Sequence, residues 1–332
     1  RYAFGAGDVP LLRYAFKQRR RLGIGLAKQF KKTTKQRKMM SVFKHIPILA
    51  AEITDLLITD ENGVYLDGTL GLGGHSGCFI KRLSPKGRVL GLDKDAQALK
   101  MAEENVNDAR LKTFNLSYTE APCALKAEGL KGVNGALFDL GLSSYQLDDA
   151  SRGFSFLNDG PLDMRFDQSK GISAKEIVNS YAADKLSKIF ALYGEERNAE
   201  KISLAICAAR REAPLETTSA LAKTIEMAVP RFGKTHPATK VFQALRIEVN
   251  GELDCVKSAP ALLKDILLLG GRAAFLTFHS TEDRIIKFAF KELASGGDFK
   301  LVNKKVIEPS WAEIKANPRA RSAKLRVIER IK

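Results

Sequence analysis

The sequence predicts a doubly wound α/β fold carrying a helical insertion, and three observations point to it. Short apolar runs alternate with amphipathic stretches over residues 64–140, the rhythm of parallel strands joined by helices. That rhythm stops between about 148 and 250, where helical periodicity continues without a clear strand, and resumes at 252. Finally, the run Val64-Tyr65-Leu66 enters a glycine-rich turn, Asp67-Gly68-Thr69-Leu70-Gly71-Leu72-Gly73-Gly74-His75-Ser76, from which a helix starts at once. Such a turn lets backbone approach a ligand closely and aims free helix N–H groups at it.

Taken in order, a helix over 49–57 precedes strand 64–67. Helix 75–83, strand 88–92, helix 95–105, strand 111–114, helix 119–128 and strand 135–140 follow. The last of these, Gly135-Ala136-Leu137-Phe138-Asp139-Leu140, is the near-continuous apolar run expected of a strand buried on both faces. Gly153, Gly160-Pro161 and Gly171 mark turns, and helices are expected at 173–181, 184–192, 196–211, 217–228 and 237–249. A helix at 252–268, a break at Gly270-Gly271, strand 273–278, helix 281–294 and strands 299–307 and 324–330 complete the pattern. The expected organisation is a basic extension at 1–40, an α/β domain from 41–147 plus 251–332, and a helical insertion at 148–250.

Charge is unevenly placed. The net charge is +16, yet residues 41–299 hold 32 basic and 34 acidic side chains and are close to neutral. The excess sits in 1–40, with twelve Lys/Arg against Asp8, and in 300–332, with ten against three acids. Basic ends on a neutral body suit contact with a polyanion. Residues 1–40 read as a disordered arm or upstream extension, Met39 or Met40 being a natural start. A mitochondrial presequence is the alternative, although the segment is Lys-rich and lacks serine. No apolar run is long enough for a membrane span. Cys78, Cys123, Cys207 and Cys255 have no CxxC spacing and read as reduced thiols of a cytoplasmic protein. His45, His75, His236 and His279 are dispersed, so no metal site is expected.

Three features fall at the C-terminal ends of successive strands, where open α/β sheets bind ligands. They are the glycine turn, Asp93 after Val89-Leu90-Gly91-Leu92, and Asp139-Leu140-Gly141-Leu142-Ser143-Ser144. A dinucleotide fingerprint would want glycine three residues after Gly73, where Ser76 stands. S-adenosylmethionine fits better. It has no pyrophosphate, its ribose calls for an acid, and its cationic sulfonium favours nearby carboxylates such as Asp67, Asp93 and Asp139.

These residues also resemble a known family, the ribosomal RNA small subunit methyltransferase H family. The likeness runs through His45-Ile46-Pro47, the glycine turn, Gly91-Leu92-Asp93-Lys94-Asp95 and Phe138-Asp139-Leu140-Gly141-Leu142-Ser143-Ser144-Tyr145-Gln146-Leu147-Asp148. It continues in Arg152-Gly153-Phe154-Ser155-Phe156, Asp159-Gly160-Pro161-Leu162-Asp163-Met164-Arg165, Tyr193-Gly194-Glu195-Glu196 and His236-Pro237-Ala238-Thr239. Phe242-Gln243-Ala244-Leu245-Arg246-Ile247, Phe278-His279-Ser280-Thr281-Glu282-Asp283-Arg284 and Arg319-Ala320-Arg321-Ser322-Ala323-Lys324-Leu325-Arg326 close it, so the resemblance covers about 45–330. Thr281 stands where the family has leucine.

The resemblance implies a Rossmann-like S-adenosylmethionine-dependent methyltransferase sheet and methylation of the N4 amine of a cytidine in the decoding region of small-subunit ribosomal RNA. Implied cofactor contacts are Gly73, Gly74, His75, Asp93, Asp139 and Gln146, with Tyr118 at a position where the family more often has phenylalanine. Amino-group methyltransferases of DNA carry an Asp/Asn/Ser-Pro-Pro-aromatic run after strand four. By position, Asp139, Ser143 and Ser144 are therefore the expected amine-facing groups. Asp163, Arg165, Arg246, His279 and Arg321 are the expected substrate contacts, and the helical insertion the expected RNA reader. Arg210, Arg211, Arg231, Lys234, Lys240, Arg319, Lys324 and Arg326 are further candidates for phosphates. The expected partner is the RNA or the assembling small subunit, with a homodimer left open. Alternatives are a non-catalytic ribosome-assembly RNA-binding protein, a mitochondrial 12S ribosomal RNA counterpart, and a nicotinamide dehydrogenase.

Overall fold

The computed structural model describes residues 47–231, 233 and 236–332. The expected extension at 1–40, His45 and Lys234 lie outside them. A seven-stranded sheet in the order β3-β2-β1-β4-β5-β7-β6 forms the centre. Its strands are β1 (Val64–Asp67), β2 (Arg88–Leu92), β3 (Leu111–Phe114), β4 (Val133–Asp139), β5 (Leu267–Thr277), β6 (Phe299–Leu301) and β7 (Lys324–Arg330). The first five run parallel, while β7 is antiparallel to both β5 and β6.

Helices α1 (Ala50–Leu57), α2 (Gly74–Arg82), α3 (Ala96–Val106), α4 (Ala121–Ala127), α11 (Glu252–Ile266) and α12 (Ser280–Ser295) alternate with these strands. The alternation of strand side chains explains the two covered faces. Leu66, Leu90, Phe138 and Phe275 enter one core with α4, α11 and α12. Their neighbours Tyr65, Val89, Leu137 and Ala274 enter the other, with Ile53 and Leu57 of α1 and Phe79 of α2.

Between α5 (Ser144–Asp148) and α11 lie α6 (Ala174–Ser180), α7 (Ala183–Gly194), α8 (Ala199–Glu212), α9 (Thr218–Ala228) and α10 (Ala238–Asn250). Ile177, Phe190, Ile202, Ile206, Leu221, Ile225, Phe242 and Leu245 give this layer a core of its own. The chain crosses into it through turns, with one isolated bridge between Pro161 and Thr217.

Three sequence expectations need correction. Strand β5 begins at Leu267 and runs through the glycine pair, which is therefore no break. Val133 pairs with Leu267 and Gly135 with Arg272, so five residues of β5 advance while β4 advances two. Gly270 takes φ 77°, and a Cβ on Gly271 would lie 2.8 Å from the Leu268 carbonyl oxygen, so the glycines permit the bulge. The strand expected over 299–307 stops at Leu301, and Ile307 makes only a lone bridge to Leu325. Helices α5 and α13 (Trp311–Ala316) were not foreseen; each spans little more than one turn and is started by a serine cap.

Candidate functional site

The strand order reverses between β1 and β4, which places the glycine turn at the switch point between β2 and β4. The turn is stitched to both neighbours: Gly68 N–H donates to the Leu137 carbonyl and Leu70 N–H to that of Leu92, each at 2.8 Å. Helix α2 then starts from Gly73, which has φ 80° and no side chain to cap the helix. A Cβ there would meet Val106 at 2.7 Å, so glycine is needed twice over, for the conformation and for the packing of α3. The first-turn N–H groups of α2 are left without a side-chain cap, a feature suited to a ligand.

Carboxylates surround this turn. Asp67, 1% exposed, accepts from Ser76 Oγ at 2.7 Å and from Thr69 N–H at 3.3 Å. Asp93 accepts from Gly71 N–H at 2.8 Å on one oxygen and from Asp95 N–H at 2.9 Å on the other. Burial raises both pKa values, that of Asp93 to about 6. Asp139, at the end of β4, donates its backbone N–H to Thr69 Oγ1 at 2.7 Å and has His75 Nε2 3.5 Å from its Oδ2. His75 is buried, and among the described residues neither ring nitrogen finds a hydrogen-bond partner.

After Asp139 the chain turns at Gly141, φ 104°, and Ser143 caps α5. The Ser143 hydroxyl accepts from Gln146 N–H while Gln146 Oε1 accepts from Ser143 N–H, both at 3.2 Å. Gln146 Nε2 donates to Asp95 Oδ2 at 3.1 Å, and that same oxygen takes a 2.5 Å bond from Arg152. Arg152 also donates to the Arg165 and Phe166 carbonyls, so it fastens the entry of the helical layer to the β2–α3 turn. Tyr118 lies over Gly68, whose Cβ would come within 2.9 Å of its own, and meets Phe138 edge-on at 5.6 Å. Burial, followed by the charges of Cys255, Glu252 and Glu282, pushes the Tyr118 hydroxyl well above its usual pKa.

The expected residues thus divide. Gly73, Gly74, His75, Asp93, Asp139 and Tyr118 meet at the turn, Gln146 is linked to Asp93 through Asp95, and Ser143 packs beside Gly71. Ser143 and Gln146 each spend one group on the cap.

The expected substrate contacts are mostly paired within the protein. Arg246 makes a two-pronged ion pair with Glu252 at 2.7 and 2.9 Å, both largely buried, and does not present its charge to solvent. Arg165 closes in the same way on Asp163 at 3.0 and 2.8 Å. His279 Nδ1 accepts from Glu282 N–H at 3.4 Å, and its Nε2 sits 3.0 Å from Glu282 Oε1. Arg326 and Lys324 both face Asp283, at 2.7 and 3.7 Å, and Arg319 pairs with Asp148 at 2.7 Å. Lys240 and Arg210 donate to the Glu195 and Val178 carbonyls. Arg321 and Arg211 remain exposed. Thr69, Asp95 and Arg152 carried no individual expectation, since nothing local in the sequence joins residues 57 or 70 positions apart.

The residues fit a cationic, adenosine-bearing cofactor. Asp67, Asp93 and Asp139 have no lysine or arginine partner among the described residues, helix N–H groups stand uncapped, and a buried imidazole lacks a hydrogen bond. A cation relieves the crowding of carboxylates, and hydroxyl donors satisfy free lone pairs.

Comparison with known proteins agrees. The model of the MraW methylase family matches residues 42–331. A ribosomal RNA small subunit methyltransferase H from Elusimicrobium minutum (strain Pei191) is 56% identical over 293 residues, covering 88% of this chain and all of that protein. One of the same name from Geobacter sp. (strain M21) is 41% identical over 312 residues, with 88% and 100% covered. Among solved structures, a putative rRNA-methylase from Clostridium thermocellum aligns with a TM-score of 0.41 and 12% identity, over 86% of this chain and 99% of that one. The match over 42–331 and the identity to these relatives place the chain in the MraW methylase family, and the protein is a methyltransferase.

Proposed function

We propose that the protein methylates the N4 amine of one cytidine in the decoding region of small-subunit ribosomal RNA, with S-adenosylmethionine as methyl donor. The observation that carries the reading is the meeting of Asp67, Asp93 and Asp139 around an uncapped helix start at the switch point, in a chain of this family. When bound, S-adenosylmethionine supplies an electrophilic methyl group on a cationic sulfur.

The N–H groups at Gly74 and His75 would hold the amino-acid end of that cofactor, and Gly73, whose own N–H donates to the Leu70 carbonyl at 2.8 Å, would let it approach the backbone. Asp93 accepts the ribose hydroxyls with the lone pairs left by Gly71 and Asp95, and Tyr118 and Gln146 wall the site. The cytosine amine is a weak nucleophile because its lone pair is delocalised into the ring. The protein therefore acts by orientation and electrostatics. Asp139 accepts an amine hydrogen and turns the lone pair towards the methyl group, assisted by the Ser143-Ser144 bend. The base must leave its stack to reach this place, at a cost of a few kcal/mol.

Residues 148–250 form the substrate-reading layer, and exposed cations such as Arg211 and Arg321 contact phosphates. The partner is the assembling small subunit, met in the cytoplasm. Incubation with labelled S-adenosylmethionine and small-subunit RNA tests the reading: label appears on cytidine. An RNA left unlabelled, alone and in immature subunits, overturns it.

A further inference from the structure

His75 is 6% exposed and opens the first turn of α2 with both ring nitrogens unbonded. Buried imidazoles ordinarily find partners, so its surroundings bear on what it does. Two carboxylates face it. Asp67, from β1, has one oxygen taken by Ser76 Oγ and the other by Thr69 N–H. Asp139, from β4, has its Oδ2 3.5 Å from His75 Nε2. From β2, Asp93 is turned to Gly71 and Asp95. Beside it in the chain, Ala102 and Val106 of α3 pack against Gly73, and Pro47 packs against Gly74.

We propose that His75 is a positioning residue of the methyl transfer that acts through Asp139: it takes up at Nε2 the proton that Asp139 receives from the amine. This rests on the reading of Asp139 as the amine-facing carboxylate. In the step, the amine lone pair forms the N–C bond as the carbon–sulfur bond breaks, leaving its electrons on sulfur. The displaced N–H proton passes to an Asp139 oxygen and from there to His75 Nε2, and solvent later removes it from the imidazolium. The unbonded Nδ1 is free to carry the other ring proton, so Nε2 can be the accepting nitrogen.

The test uses the full chain with His75→Gln, His75→Ala and Asp139→Asn, each checked for folding by circular dichroism and thermal melting. Cofactor affinity is measured by calorimetry, and kcat at saturating cofactor and RNA. His75→Gln should lower kcat about 10²-fold and leave cofactor affinity nearly unchanged. Adding His75→Gln to Asp139→Asn should cost little more, because the two act in series. Lost cofactor affinity with an unchanged kcat would make His75 a cofactor wall and overturn the inference. Wild-type activity in Asp139→Asn would instead remove the reading of Asp139 itself. If His75→Ala melts early while His75→Gln is stable, the glutamine variant decides.

Discussion

Two regions flank the C-terminal edge of the sheet, and they treat charge in opposite ways. Around the glycine turn, Asp67, Asp93 and Asp139 gather without a bonded lysine or arginine among the described residues, α2 starts without a side-chain cap and His75 is buried with no hydrogen bond to any of them. Across the edge, where the helical layer meets the sheet, nearly every charge named here is matched. Arg152 is bonded to Asp95, Arg246 to Glu252, Arg165 to Asp163 and Arg326 to Asp283. Matched buried charges fix geometry, since removing one partner strands the other. Unmatched buried polar groups cost free energy, and a ligand that bonds to them recovers it. The contrast separates what binds from what holds, although all of these residues lie in similar-looking motifs.

The largest effect that sharpens the contrast is structural. Arg246→Ala leaves Glu252 buried without its ion-pair partner and should cost about 3–5 kcal/mol in urea unfolding. Replacing both partners by apolar residues of like size should recover most of that loss. Equal stability in Arg246→Ala would show that the pair is solvated and open to substrate. Next, Asp139→Ala should lower kcat on the order of 10²–10³-fold, as for loss of one preorganised electrostatic contact, with an unfolding midpoint close to wild type.

A smaller effect concerns pH. With Asp93 titrating at about 6, its carboxylate is ionised, and able to accept ribose hydroxyls, only above that value. Cofactor affinity should therefore fall as pH drops through 6, approaching about tenfold per unit below it. Calorimetry on Asp93→Asn should find weaker binding without that slope. Smallest is Ser143→Ala, which removes the α5 cap and should cost about 1 kcal/mol of stability. A much larger loss of kcat than of stability there would move Ser143 from capping to the amine.

Much of this was legible in the sequence, for physical reasons. Strands buried on both faces must be apolar throughout, so β4 stands out, and a strand–glycine–helix turn with an acid on the next strand is a local pattern. The β5 bulge was hidden because Gly270-Gly271 reads equally as a chain break, and only pairing with Val133 and Gly135 distinguishes the two. Charge pairing was the least visible. A run such as Arg319 to Arg326 looks like a phosphate-binding edge until Asp148 and Asp283 are brought to it from 171 and 43 residues away. Arg246 likewise carries no local sign of burial, because its partner lies beyond the turn at Gly251 on the next helix.

The central claim is that the unmatched carboxylate at the end of β4 faces a cytosine amine. Its most direct test is nucleoside analysis by mass spectrometry of small-subunit RNA treated with labelled S-adenosylmethionine and either wild-type protein or Asp139→Ala. The account predicts label in N4-methylcytidine at a single position with wild type, and a loss of two to three orders of magnitude in rate with the variant, which still binds cofactor. Label at another base, or equal incorporation by both proteins, would contradict it.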